Sequence, residues 1–95
     1  MSIEKRDIVT VLTTSGEFVG RFEEEKDGKV TLYKPKMLVK EGANVGFSQG
    51  ICLSAEEESD YASFYSGGMI LMTLSSKTFA DGWKQATNTL QLAGV

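Results

Sequence analysis

The stretch Ile8 to Tyr33, IVTVLTTSGEFVGRFEEEKDGKVTLY, decides how the chain folds. Apolar and polar residues alternate along much of it, which is the period of a strand with one face buried and the other wet. Ser15-Gly16 and Asp27-Gly28 are turn signals, placed where strands must reverse. Gly20 falls in mid-strand, where the missing Cβ permits a sharp bend or a close backbone approach. The stretch predicts a strongly bent meander of three strands.

In the first strand, Ile8 to Thr14, one face carries Ile8, Thr10 and Leu12 and the other Val9, Val11 and Thr13. In the second, Glu17 to Glu25, Phe18, Gly20 and Phe22 share a face opposite Glu17, Val19, Arg21 and Glu23. The third, Lys29 to Val39, contains Pro35; proline donates no ladder hydrogen bond, so this strand bulges there or lies at an edge.

Beyond the reversal Glu41-Gly42-Ala43-Asn44, the segment Val45 to Leu53 alternates large and small residues and predicts a fourth strand. Ser54 to Gly68 is a long polar excursion carrying Tyr61, Phe64 and Tyr65, and loops of that length are mobile or functional. Met69 to Leu74, MILMTL, is a fifth strand, apolar on both faces. It needs cover on both sides, from the barrel and from either a neighbouring subunit or the C-terminal segment. Phe79, Trp83, Ala86 and Leu90 recur at helical spacing and predict a terminal helix over residues 78–92. The expectation is one domain over residues 1–95. It is mostly β, a small five-stranded, strongly bent antiparallel SH3-like barrel (residues 8–75) with a short C-terminal helix. An OB-like barrel is the nearest competitor.

Composition narrows the function. The 95 residues are 41% hydrophobic and 24% charged, ordinary for a globular domain. No apolar run is long enough to span a bilayer, so no membrane partner is expected. The opening MSIEKRD lacks the apolar core of a signal peptide, and the single cysteine, Cys52, rules out an internal disulfide framework. Together these predict a cytoplasmic protein. The chain has no histidine, the commonest general base and metal ligand. The carboxylate runs Glu23–Glu25 and Glu56–Glu58 read as solvated surface, since neighbours in a strand point to opposite faces and do not converge. Cys52 has no histidine partner and reads as a small buried residue. Neither an enzyme, nor a metal, nor a cofactor is expected.

The net charge of −3 argues against a generic polyanion binder. Yet Lys26, Lys29, Lys34, Lys36 and Lys40 cluster within one short stretch, with Tyr33 among them. Such a stretch is a basic, base-stacking face, or else a solvated strand face whose lysines guard a sheet edge.

VLTTSGEFVGRFEEEKDGKVTLY resembles the first sequence motif of the Sm/LSm family, which includes Hfq, with Gly16, Gly20, Phe22, Asp27, Val30 and Leu32 at the matching positions. Ile51 to Ala55, ICLSA, is similar in placement to the apolar strand of the second motif, and MILMTL to the last strand. The chain looks most like the divergent, compact Sm-like proteins of marine phage and metagenomic sequences. It departs from the family in lacking the Met-Asn pair of the first motif and the Arg-Gly or Lys-His signature of the second, and in placing its helix after the barrel. The resemblance implies a homo-oligomeric ring closed by strand-edge pairing, with Ile51, Leu53, Met69, Ile70, Leu71 and Met72 at the interface. It also implies non-catalytic binding of single-stranded RNA or DNA. The nucleic-acid candidates are Lys26, Asp27, Gly28, Lys29, Tyr33, Lys34, Lys36 and Ser54. The alternative is a structural ring or protein-interaction module, such as a phage assembly component, that binds no nucleic acid.

Overall fold

The computed structural model describes residues 2–48, 51, 54 and 59–93, with side chains described as far as Thr87. Six strands are present: β1 (Ile8–Thr13), β2 (Gly16–Lys26), β3 (Lys29–Glu41), β4 (Asn44–Phe47), β5 (Tyr61–Tyr65) and β6 (Met69–Leu74). A single 3-10 turn, Ser66–Gly68, joins β5 to β6, and helix α1 (Lys77–Ala93) follows. All the pairings are antiparallel, in the order β4-β3-β2-β1-β6, with β5 added to the first half of β3. The mostly β, antiparallel character and the terminal helix agree with the sequence. The strand count does not: there are six strands among the described residues rather than five, and the sheet they form does not close on itself.

Two differences account for this. The fourth strand ends at Phe47 instead of running on to Leu53; Ile51 lies in a bend, and Cys52 and Leu53 fall outside the described residues. The additional strand, β5, arises inside the stretch expected to be a loop, where it pairs Tyr61, Ser63 and Tyr65 with Tyr33, Thr31 and Lys29. Tyr61–Tyr65 is therefore the described strand that precedes MILMTL.

Local chemistry explains the meander. Asp27 and Gly28 both adopt positive φ, 54° and 77°, which a two-residue hairpin turn needs to match the strand twist. The first turn falls one residue earlier than expected, on Thr14-Ser15, closed by the pair Thr13↔Gly16. The Thr13 hydroxyl donates to the Gly16 carbonyl and accepts from the Ser15 amide, which holds that turn. At Gly20 the register of β2 and β3 shifts: Val19 faces Lys36 and Arg21 faces Tyr33, leaving Lys34 and Pro35 as a bulge. A Cβ on Gly20 would lie 3.1 Å from the Pro35 Cα and 3.2 Å from the Leu32 side chain. Bulges bend a strand and deepen its twist. A second shift, between Phe22 and Glu24, bends the same pair of strands again.

The bent sheet carries a core on each side. Val9, Val11, Phe22, Val30 and Leu32 are buried together on the inner face, with Ile3, Phe64, Met69 and Met72 packed around them. On the outer face Ile8, Val19 and Trp83 are buried, joined by Tyr33, Leu38, Phe47 and Ala80. Helix α1 roofs this second core, and each fully buried side chain contributes about 1.5–3 kcal/mol. Gly82, an apparent weakness in the helix, lies against Phe47: a Cβ there would meet the ring at 3.0 Å. The Lys77 ammonium donates to the Asp81 carboxylate at 2.6 Å one turn along the helix. This bond holds the Asp81 pKa below its ordinary value, so its contribution is present above the usual carboxylate range and fades as pH falls through the depressed pKa.

β6 resolves the question of its two apolar faces. Met69 and Met72 pack into the inner core, whereas Ile70, Leu71 and Leu74 remain 60%, 47% and 37% exposed. The helix packs against the β1–β2–β3 region and leaves them uncovered.

Gly20→Val is expected to destabilise the fold by about 1–3 kcal/mol, because the space is bounded by backbone and by a core leucine. Urea unfolding followed by the fluorescence of Trp83 measures this, and an unchanged midpoint would show that the two strands do not depend on their close approach.

Candidate functional site

The pairing of β2, β3 and β5 lays three rows of side chains across the outer face, beside the region that helix α1 covers. The first row is Arg21, Tyr33 and Tyr61; the second Glu24, Thr31 and Ser63; the third Lys26, Lys29 and Tyr65. Tyr61 and Tyr65 are 51% and 64% exposed, large amphipathic rings presented to solvent. They stand four residue steps apart along β5, about 13 Å at ~3.3 Å per residue.

The first row is a packed cluster. The Arg21 guanidinium lies 4.2 Å from the centre of the Tyr33 ring, and the Tyr33 and Tyr61 rings sit 5.3 Å apart, tilted by 57°. The Lys34 ammonium is 5.6 Å from the same Tyr33 ring. Both cations also have acidic partners: Arg21 Nε contacts Glu23 Oε2 at 2.9 Å and Lys34 Nζ lies 4.0 Å from Asp60 Oδ1. A cation over an aromatic face adds about 0.5–1 kcal/mol at an exposed site, so these contacts order the rings more than they stabilise the fold.

The third row lies at the hairpin tip. Among the described residues Lys26 and Lys29 make no ion pair, whereas Arg21, Lys34 and Lys77 do. The tip abuts the 3-10 turn, where the Ser66 amide donates to the Gly28 carbonyl at 2.8 Å. Asp27, Glu23, Glu24 and Asp60 are interleaved with the cations, so the face is patterned with both signs and is not a uniform basic patch.

The sequence-based candidates divide accordingly. Lys26, Asp27, Gly28 and Lys29 form the tip, and Tyr33 and Lys34 belong to the opposite end of the same face. Lys36 is separate: it is only 4% exposed and paired opposite Val19, where the helix-covered core lies. Ser54 is exposed in a bend, outside the rows. Of the interface candidates, Met69 and Met72 face the inner core, Ile70 and Leu71 are exposed, Ile51 is half-buried, and Leu53 lies outside the described residues.

Sequence reasoning missed Arg21 and Asp60 as members of the face. It also left Tyr61 and Tyr65 in a loop, although their alternation with Ala62 and Phe64 carries the strand period. Among the described residues no group of acidic or cysteine side chains is placed to hold a metal ion, and no helix is long and apolar enough to cross a membrane. No protein-family model matches the chain, and no curated protein matches it.

If the outer face is a free surface, Tyr65→Ala changes unfolding free energy by no more than about 0.5 kcal/mol, while Leu32→Ala in the core costs about 2–5 kcal/mol. Equal losses in urea titrations of the two variants would place Tyr65 among the residues that hold the fold.

Proposed function

We propose that the protein is an Sm-like barrel subunit that assembles into a homo-oligomeric ring and binds single-stranded RNA, or single-stranded DNA, without catalysis. The observation that carries this reading is the outer face of β2, β3 and β5, where Arg21 shares a row with Tyr33 and Tyr61, and Lys26 and Lys29 share one with Tyr65. Aromatic rings stack unpaired bases whatever their identity, and lysines contact phosphates in a salt-dependent way. Lys26 and Lys29, which make no ion pair among the described residues, are suited to phosphate contact. The Tyr33–Tyr61 pair is suited to stacking.

Assembly is supported by open strand edges. The outer edges of β4, β5 and β6 have no strand partner among the described residues, and β6 exposes Ile70, Leu71 and Leu74 along its length. Edges of this kind invite pairing with another chain, and a ring would repeat a weak site around its axis. The second reading, a structural ring or interaction module, draws on the same exposed β6 residues and on the interleaved carboxylates of the outer face.

Fluorescence anisotropy of a labelled single-stranded RNA, at two salt concentrations and alongside light scattering, tests the reading. The expected result is an assembly several times the 10.4 kDa subunit mass that binds RNA and loses affinity as salt rises. K26E/K29E should abolish binding but leave the mass unchanged. Y61A should weaken binding by about 1–3 kcal/mol, the range for one stacked base. An assembled protein that binds neither RNA nor DNA at low salt overturns the nucleic-acid reading and leaves the structural ring.

A further inference from the structure

The most constrained point on the outer face is Lys34. It is a non-glycine residue at φ 47°, in the left-handed region, within the bulge that faces Gly20. Left-handed backbone crowds a residue that has a Cβ, so it persists only where the surroundings impose it. Both backbone groups of Lys34 are engaged. Its amide donates to the Asp60 carbonyl just before β5, and its carbonyl accepts the indole N–H of Trp83 at 2.9 Å. Trp83 is 4% exposed and belongs to the outer core, where Tyr33 packs against the same cluster.

We infer that Trp83 is a positioning residue for the outer face, and that helix α1 is a working part of the binding site rather than a lid over a core. The indole reaches across from the helix and fixes the Lys34 peptide in its left-handed state. That conformation sets where the Lys34 ammonium and the Tyr33 ring stand, and through the Asp60 carbonyl it sets where β5 begins and hence where Tyr61 lies. Its bearing on ligand affinity rests on the nucleic-acid reading. The linkage between helix and face does not. Coupling of this kind is reciprocal: a ligand stacked on Tyr33 and Tyr61 holds the helix down as firmly as the docked helix holds the rings.

The test removes the indole N–H and keeps the ring. Trp83→Phe is the simple variant; replacing Trp83 with 3-benzothienylalanine keeps the bicyclic shape with no N–H donor and serves if the phenylalanine variant does not fold. Amide hydrogen exchange of the full chain is compared with wild type. The expected result is Lys34 amide exchange faster by about three- to tenfold, the range for losing one hydrogen bond, with the Val9 and Val11 amides unchanged. RNA affinity should fall by a similar factor.

A double-mutant cycle with Lys34→Gly separates positioning from packing. Glycine adopts the left-handed state at no steric cost, so the indole bond has less to hold, and W83F in the K34G background should lose less than W83F alone. Strict additivity overturns the inference. So does exchange that speeds up equally at Lys34, Val9 and Val11, which would mean that Trp83 supports the whole fold and not this peptide. If the wild-type protein binds no nucleic acid, the proposed function fails, but exchange and the cycle, read in urea unfolding, still decide the linkage.

Discussion

Everything in this fold depends on how closely β2 and β3 approach each other at Gly20. A hydrogen in place of a side chain lets the Pro35 backbone and Leu32 close over the strand, and the chain takes up the difference as the Lys34-Pro35 bulge. The bend that results turns one sheet into two environments. Its concave side gathers Val9, Val11, Phe22, Val30 and Leu32, and its convex side receives the helix on Ile8, Val19 and Phe47. A flat pairing of the same strands would offer neither a pocket deep enough to bury five apolar residues nor a ridge for Trp83 to reach.

The parts of this arrangement written in neighbouring residues were legible in the sequence. Asp27-Gly28 carries its own turn geometry, Gly20 marks the bend, Pro35 forces an irregularity, and the apolar spacing around Trp83 makes a helix. The parts written in distant pairing were not. β5 is polar on its outward face and has only Ala62 and Phe64 to show inward, so it becomes a strand because Lys29–Tyr33 offers it a ladder. β4 stops short for the complementary reason. Only Leu38 to Glu41 of β3 remain to pair with it, and alternation of large and small residues does not extend a strand beyond its partner.

The same distinction runs through the candidate site. Lys26 and Lys29 at a hairpin tip, and Tyr33 near them, can be read from composition and turn position. Arg21 joins them only through the register that places it opposite Tyr33. Lys36 is set apart from them by the helix: the bulge reverses the alternation of faces after Pro35 and puts Lys36 opposite Val19, on the part of the outer face that the helix covers. The bulge and the helix together thus take a lysine from an expected basic face into the interior, and no count of charges along the chain reveals it.

The charge pattern sets what such a face can do. With a net charge of −3 and four carboxylates interleaved with its cations, the face has no broad field to gather a polyanion from a distance. At the Tyr33 end the cations are already engaged by Glu23 and Asp60, so an incoming phosphate would have to displace them, while the Tyr61 ring stays exposed. At the hairpin tip Lys26 and Lys29 make no ion pair among the described residues. Under the proposed reading the two ends divide the work: the tip supplies the salt-sensitive contact, and the tyrosines supply a stacking surface that salt does not weaken. Repetition around a ring would then matter more than any single contact, since each subunit brings only a small share of either.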